Sequence, residues 1–287
     1  MYYLKFNVTI LSIIISALTT FGTIQPQIEA STPQPLQSQV SATNWFLKGI
    51  EKANQQNYQG ALLDFNHAIE INPQYAEAYF QRGLIYAKYA QVQSLNSDGT
   101  LPKCRKIGDY RIICPVEIKD KIKENKQKAI KDFSQAIQLN PQYAVAYHQR
   151  GLVEDEQQKK LQDFQVCLNL YLQKTLGYLN QSNYQQAAEL LETIDKIHTE
   201  KIYLETLSIR DNRQTDNKNT INSSTLSPER KKLEVLMSAA RQAMKKGDLR
   251  AAKQKYKEAA LILRERKDSR YQEVQQIITK IEQMTNR

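Results

Sequence analysis

The stretch NPQYAEAYFQRGL occupies residues 72–84, and NPQYAVAYHQRGL occupies residues 140–152. Eleven of their thirteen residues are identical, and the two copies begin 68 residues apart. A sequence that repeats itself predicts a repeated structural unit that packs against its neighbours. The unit is either 68 residues long, or it is shorter and one copy contains an insertion.

The residues before the first copy have the pattern of two helices joined by a turn. In NWFLKGIEKANQQNYQGALLDFNHAIEINP, residues 44–73, small and aromatic residues recur at the spacing of a helical face. Asn57 and Tyr58 supply the turn, and Gly49 leaves room for a second helix to approach. Pro73 ends that second helix, because the residue before a proline is pushed out of the α conformation.

These offsets resemble those of the tetratricopeptide repeat, a helix pair of about 34 residues. Resemblance to a bacterial protein of this family implies an all-α fold, in which antiparallel helix pairs stack into an α-solenoid, the TPR superhelix. The positions that carry the resemblance and serve as repeat-structural residues are Trp45, Gly49, Ala61, Phe65, Ala68, Pro73, Tyr79, Gly83, Ala129, Phe133, Ala136, Pro141, Tyr147, Gly151 and Phe164.

The second unit contains the insertion. Gly49 and Ala61 are 12 positions apart, whereas Gly83 and Ala129 are 46 apart, an excess of 34 that equals one repeat. The stretch SLNSDGTLPKCRKIGDYRIICPVEI, residues 94–118, cannot be that hidden repeat, because Gly, Pro, Asp and Ser interrupt any helical period. We therefore predict a non-helical loop insertion at 94–117.

Weaker units follow, and the last helix has Val274, Ile277, Ile278 and Ile281 on one apolar face, which indicates a capping helix or a partner-binding amphipathic helix. The predicted organisation is a signal peptide (1–30), a flexible leader (31–41), a TPR solenoid (42–204), a disordered linker (205–229), and a basic TPR-like helix pair with a capping helix (230–287). Within the solenoid the predicted repeats are 42–75, 76–143, 144–170 and 171–204.

The N-terminal segment predicts export. A single Lys5 precedes an apolar run from Val8 to Leu18, which is typical of a secretory signal peptide and too short for a comfortable bilayer span. An uncleaved N-terminal membrane anchor is the alternative. The expected location is periplasmic or otherwise extracytoplasmic, with a lumenal or secreted protein included.

Two of the three cysteines bracket a candidate hairpin. Cys104 and Cys114 flank RKIGDYRII, where Gly-Asp could turn a short hairpin, and an oxidising compartment would permit a disulfide between them. Two free thiols are the alternative. Cys167 takes the small inward position of Ala68 and Ala136, so we expect a buried, hydrophobic side chain.

The formal net charge of +10 is unevenly distributed. Residues 101–131 carry ten Lys and Arg against four Asp and Glu, and residues 229–287 carry sixteen against eight. Such charge indicates solvated helix faces or an anionic target, for which an anionic lipid membrane or a cell-wall polymer suits an exported protein better than nucleic acid. We expect no aromatic stacking platforms for bases among these cations.

No pattern for catalysis is present. The chain has three histidines, and none belongs to a metalloprotease motif; nucleophile-elbow, phosphate-loop and dinucleotide-binding motifs are also absent. The sequence thus predicts no enzyme, no cofactor, no metal and no small-molecule substrate.

The resemblance implies a binding site instead. In this family, partners lie along the concave face formed by the first helix of each repeat. Carrying that face over by position gives the candidate groove residues Thr43, Phe46, Ile50, Asn54, Glu77, Phe80, Leu84, Lys88, His148, Leu152 and Asp155.

The groove residues do not match the family's carboxylate-clamp type, which has Lys and Asn where this chain has Phe46, Ile50 and Phe80. An apolar groove edged with charge predicts a scaffold that binds an extended or helical protein segment. An adaptor held to the envelope by its basic C-terminal helices is the alternative function. The insertion, or packing between repeats, could also cover some of the apolar side chains.

Overall fold

The computed structural model describes residues 36–91, 105–107, 111–113, 116–213 and 228–286. These residues form ten helices and two short strands. The elements are α1 (Leu36–Asn54), α2 (Tyr58–Ile71), α3 (Ala76–Gln91), β1 (Arg105–Ile107), β2 (Arg111–Ile113), α4 (Val116–Leu139), α5 (Ala144–Val153), α6 (Gln157–Asn180), α7 (Tyr184–Arg213), α8 (Pro228–Lys245), α9 (Leu249–Glu265) and α10 (Tyr271–Thr285).

The chain divides into two compact units, Met1–Leu139 and Asn140–Arg287. In the first unit, α1 packs against α2, α2 against α3, and α3 against α4. In the second unit, each of α5 to α9 packs against the helix that follows it, and α10 also contacts α6. Helices that are neighbours in sequence therefore form antiparallel pairs, and the predicted all-α fold class is confirmed.

The repeated NPQY sequence forms the same turn in both places. Asn72 ends α2, and its side-chain Oδ1 accepts a hydrogen bond from the backbone N–H of Gln74 at 3.0 Å. Asn140 follows α4 and accepts from the N–H of Gln142 at 3.1 Å. The asparagine side chain thereby stabilises the chain reversal that leads into the next helix.

The repeat glycines permit close contact between the two helices of a pair. A Cβ atom on Gly49 would lie 2.6 Å from Cε1 of Phe65, and one on Gly83 would lie 2.8 Å from Cε1 of Phe133. Both rings are fully buried. Each ring occupies the space that any larger residue would need at the glycine.

Within the insertion, the structure describes a two-stranded antiparallel sheet. β1 pairs with β2 in the register Arg105↔Ile113, Lys106↔Ile112 and Ile107↔Arg111. The strands flank the Gly-Asp pair that suggested a turn. α4 begins at Val116, one residue before the predicted end of the insertion at 117. Cys104 and Cys114 lie outside the described residues, and their predicted disulfide stays a prediction.

Several helix bounds differ from the predicted segments. α1 begins at Leu36, within the predicted leader 31–41, and α7 continues to Arg213, within the predicted linker 205–229. α6 runs without a break through position 170, where one predicted repeat ends and another begins. Residues 157–176 of this helix contain no glycine or proline, so no helix-breaking residue lies near position 170.

The C-terminal helices share a hydrophobic core with the preceding helices of the second unit. Leu168 of α6, Ile197 of α7, Leu233 of α8, Leu263 of α9 and Ile281 of α10 belong to one cluster of buried side chains. A continuous core of this kind makes the predicted segment 230–287 an integral part of the second unit.

Ion pairs reinforce the contact between α7 and the C-terminal helices. Arg241 pairs with Asp195, and Lys245 Nζ lies 2.9 Å from Glu192 Oε1. His198, which is buried on α7, lies 2.8 Å from Glu273 of α10. Among the described helices, none has an apolar stretch long enough to cross a membrane.

The glycine contact makes a matched pair of substitutions informative. Gly83→Ala should lower stability by about 1–3 kcal/mol, because the methyl group would overlap the ring of Phe133. Gly177→Ala on α6 is the control, since a Cβ there would meet nothing within 4 Å. It should raise stability by up to about 1 kcal/mol through helix propensity. Thermal unfolding followed by circular dichroism measures both; an equal effect of the two substitutions would contradict the contact.

Candidate partner-binding site

One side of α1 carries a stripe of exposed and half-buried side chains. Thr43, Leu47, Ile50 and Asn54 follow one another at i, i+4, i+7 and i+11, so they lie on one side of the helix. Leu47 is 54% exposed, and Thr43 and Asn54 are also exposed. Ile50 is half-buried against the core of the first unit. The stripe thus has apolar residues at its centre and polar residues at its ends.

α3 repeats this stripe at the same spacing. Glu77, Gln81, Leu84 and Lys88 are all half-buried. Lys88 Nζ donates a hydrogen bond to the hydroxyl of Tyr58 and lies 4.1 Å from that ring's centroid. Glu77 and Lys88 are separated by eleven residues, which places opposite charges about 16 Å apart along the helix. We call the eight residues on α1 and α3 the partner stripe.

Two predicted groove residues lie in the interior of the first unit instead. Phe46 is 8% exposed, and its ring centroid is 4.9 Å from that of Tyr75 and 5.8 Å from that of Phe65. Phe80 is 6% exposed, with its ring centroid 5.8 Å from that of Phe133. Both rings are packed as core residues, so neither is an accessible anchor for a partner.

Sequence reasoning missed the neighbouring positions that are accessible. Leu47 and Gln81 each follow one of the two phenylalanines and belong to the partner stripe. The sequence contained a signal for them. Positions 43, 47, 50 and 54 span a narrower arc around the helix axis than positions 43, 46, 50 and 54 do. The strong hydrophobicity of phenylalanine also favours burial at a helix interface.

The remaining candidates belong to the second unit. His148 on α5 lies 2.6 Å from Glu200 Oε2 of α7, and its ring meets Phe164 edge-on at 5.4 Å between centroids. Leu152 is half-buried, and Asp155 is exposed in the turn between α5 and α6. The contacts of His148 indicate that it connects α5 with α7, so its ring is already engaged within the unit.

A buried aspartate precedes the core phenylalanine in each of the first three repeats, a feature that the sequence analysis did not identify. Asp132 accepts two hydrogen bonds from Arg82, at 2.8 Å and 2.7 Å, and Asp163 accepts two from Arg150 at the same distances. In the first repeat Lys52 Nζ lies 2.7 Å from Asp64 Oδ2, an ion pair without the alignment of a directed hydrogen bond.

The predicted repeat-structural residues occupy consistent places. The small and aromatic residues of the second helices are fully buried: Ala61, Phe65, Ala68, Ala129, Phe133, Ala136 and Phe164. Trp45, Tyr79 and Tyr147 are half-buried, with a cation near each ring: Lys48 at 4.8 Å, Arg82 at 5.5 Å and Arg150 at 5.7 Å from the respective centroid. Pro73 and Pro141 are exposed in the turns.

The buried thiol of Cys167 has no access to a reactant. Burial raises the pKa of Cys167 to about 12, so the thiol is neutral at physiological pH and is a poor nucleophile. No group of three or more His, Cys, Asp and Glu side chains in the described part of the chain could hold a metal ion.

Comparison with known proteins supports the repeat assignment. Residues 51–88, which span the end of α1, all of α2 and most of α3, match the family described as TPR repeat. These residues form a tetratricopeptide repeat. No curated protein matches the chain significantly. The chain is similar to a protein whose solved structure is titled "Crystal structure of MamA protein", with 18% identity over 63% of this chain and 98% of that chain and a TM-score of 0.21. At that TM-score the similarity carries no structural argument.

The buried ion pairs should contribute strongly to the stability of the protein. Arg82→Met leaves the carboxylate of Asp132 buried without its cation, and we expect a loss of about 3–5 kcal/mol. The double substitution Arg82→Met/Asp132→Leu should recover most of that loss, because no buried charge remains. Urea denaturation measures both, and Lys128→Met is the control, since its partner Glu124 is exposed. Additive effects of the two substitutions would contradict the pairing.

The pKa of Cys167 leads to a second prediction about stability. The unfolded thiol ionises at about pH 8.5, whereas the folded thiol stays protonated up to about pH 12. Ionisation therefore favours the unfolded chain above about pH 8.5, so stability should fall with rising pH, and Cys167→Ala should reduce this fall.

Alkylation followed by mass spectrometry provides an independent measurement. Cys167 should be unmodified in the native protein at about pH 8.5 and fully modified in urea. Rapid modification of the native protein would contradict its burial. The same digest tests the predicted disulfide, because a Cys104–Cys114 bond would protect both thiols even in urea.

Proposed function

We propose that this tetratricopeptide-repeat protein is a non-catalytic scaffold that binds a protein segment along the partner stripe of α1 and α3. The observation that carries the proposal is the duplicated spacing: residues 43, 47, 50 and 54 on α1 correspond to residues 77, 81, 84 and 88 on α3. Two helices of one unit thus present parallel sets of partly exposed side chains, of which Ile50 and Lys88 also contact other residues of the unit.

The chemistry of the stripe suits an amphipathic segment. Leu47, Ile50 and Leu84 offer apolar contact, and Leu47 leaves more than half of its surface in solvent. Glu77 favours a cation on the partner, and Lys88 favours an anion about 16 Å away. That separation corresponds to about eleven residues of a helical partner or about five of an extended one.

A matched pair of leucine substitutions tests this site. Leu47→Glu adds a charge at the centre of the stripe, whereas Leu63→Glu adds the same charge on α2 at a side chain that is 63% exposed. Both proteins should fold with unchanged thermal midpoints, since both positions face solvent. A photo-crosslinking amino acid placed at position 47 and at position 63 then identifies any partner segment captured at the stripe.

The affinity of the two variants for the captured segment tests whether it binds at the partner stripe. For the crosslinked segment, made as a peptide, calorimetry should show the dissociation constant raised at least about tenfold by Leu47→Glu and unchanged by Leu63→Glu, as expected for an anchor at the centre of an interface. Equal losses of affinity in both variants, or equal crosslinking from both positions, would place the partner elsewhere.

We also propose that the protein is exported. The support is the apolar run Val8–Leu18, which lies outside the described residues, together with the short positively charged segment before it. N-terminal sequencing of the protein from the native cell envelope tests this. A chain that begins near residue 31 would support a cleaved signal peptide, whereas an intact N-terminus in the cytoplasmic fraction would contradict export.

A further inference from the structure

The carboxylates of the C-terminal helices are largely engaged within the protein. Each of the following acidic residues has a partner: Glu229 with Arg266, Glu234 and Asp268 with Arg270, Glu258 with Lys255, Glu273 with His198, and Glu282 with Lys257. Asp248 accepts a hydrogen bond from the N–H of Ala251 at the start of α9. Seven of the eight acidic residues at 229–287 are therefore engaged within the protein, and the eighth, Glu265, is exposed between Arg264 and Arg266.

Cations collect where α8 begins and α9 ends. The sequences are ERKK at 229–232 and RERK at 264–267, with six cations against two carboxylates. The ion pair between Arg266 Nη1 and Glu229 Oε2, at 3.4 Å, shows that these two tetrapeptides are neighbours. Lys231, Lys232, Arg264 and Lys267 are exposed and have no carboxylate partner among the described residues. We call these two tetrapeptides the basic end.

Two exposed aliphatic side chains lie one helical turn from the basic end. Val235 is 67% exposed and follows Lys231 and Lys232 at i+4 and i+3. Leu261 is 55% exposed and precedes Arg264 by three residues. In the described part of the chain, four large hydrophobic side chains are strongly exposed, and Val235 and Leu261 are two of them.

We propose that the basic end binds the surface of an anionic lipid bilayer. Lysine and arginine near an anionic leaflet are attracted to it, and single aliphatic side chains beside them can enter the boundary between headgroups and acyl chains. This surface is separate from the partner stripe, so the inference does not depend on the proposed protein-binding function.

An acidic protein segment is the alternative to a lipid surface at the basic end, and the second unit supports it less well. A cavity of about 290 Å³ between α7 and α8 could receive an anchoring side chain. Its lining has the carboxylates of Glu192, Asp195 and Glu234 against the cations of Lys196 and Arg241, so the acidic groups outnumber the basic ones. Such a lining does not suit an acidic anchor, whereas a lipid surface requires no cavity.

Vesicle partitioning of the full chain tests the proposal. The measured quantity is the partition coefficient into vesicles containing about one third phosphatidylglycerol, divided by that into pure phosphatidylcholine vesicles. Because any apolar insertion of the N-terminal segment contributes to both coefficients, this ratio isolates the electrostatic part. Lys231→Gln/Lys232→Gln/Arg264→Gln should lower the ratio by about a hundredfold, at about fivefold for each cation.

The control removes the same charge from another helix. Lys121, Lys123 and Lys131 are exposed on α4, and Lys121→Gln/Lys123→Gln/Lys131→Gln should change the ratio by less than about fivefold. Equal losses in the two triple variants would show general attraction of a basic protein and overturn the proposal. A wild-type ratio near unity would overturn it directly.

Two further measurements identify the surface. Leu261→Ser should weaken binding to the anionic vesicles severalfold, whereas Leu63→Ser, at a leucine of similar exposure, should not. Poly-glutamate in solution represents an acidic chain. The triple variant Lys231→Gln/Lys232→Gln/Arg264→Gln could lose binding to poly-glutamate while its vesicle ratio stays at the wild-type value. In that case the basic end would be a site for acidic protein segments, and the lipid proposal would be wrong.

Discussion

The contact between a glycine on one helix and a phenylalanine ring on the next sets the geometry of each repeat. The ring of Phe65 on α2 occupies the space beside Gly49 on α1. The two helices therefore pack so closely that the ring contacts the backbone of Gly49. The residue before each such phenylalanine is then carried into the interior as well. In the first three repeats that residue is an aspartate, and a buried carboxylate is stable only with a cation beside it. Arg82 and Lys52 supply those cations from the first helix of a pair, so a steric contact and an ion pair connect the same two helices.

This interior arrangement leaves one side of the first helices partly exposed. The partner stripe lies beside the glycine face without taking part in it, and its residues differ in chemistry between α1 and α3 while their spacing stays the same. Phe46 and Phe80 lie between the two faces. Aromatic side chains at that boundary bury more apolar surface by turning toward the neighbouring helices than by facing water. Their burial separates the interior from the stripe, and it moves the accessible positions one residue along the chain.

The helix pairs were predictable because their signals are local and repeated. NPQY, the glycines and the phenylalanines recur at fixed offsets, and each has a direct steric or hydrogen-bonding consequence. The continuous helix Gln157–Asn180 was not predicted, since the weak similarity of residue 171 onward to a new repeat suggested a boundary that no turn residue supports. The ion pairs were missed for a different reason: a charged residue on a helix is usually solvated, and only the depth of the neighbouring phenylalanine shows that Asp132 is not.

The ion pairs that hold the second unit together determine which charges of the C-terminal helices remain exposed. Arg241 and Lys245 are used to join α8 to α7, while Arg270 is buried with Asp268 and Glu234. The acidic groups in these pairs are bound to cations elsewhere in the unit. Lys231, Lys232, Arg264 and Lys267 of the basic end remain exposed. A partner held by the stripe and a membrane held by the basic end would occupy different units of one chain. Attachment at a surface would raise the effective concentration of the stripe for any partner on that surface, and this gain requires no contact between the two sites.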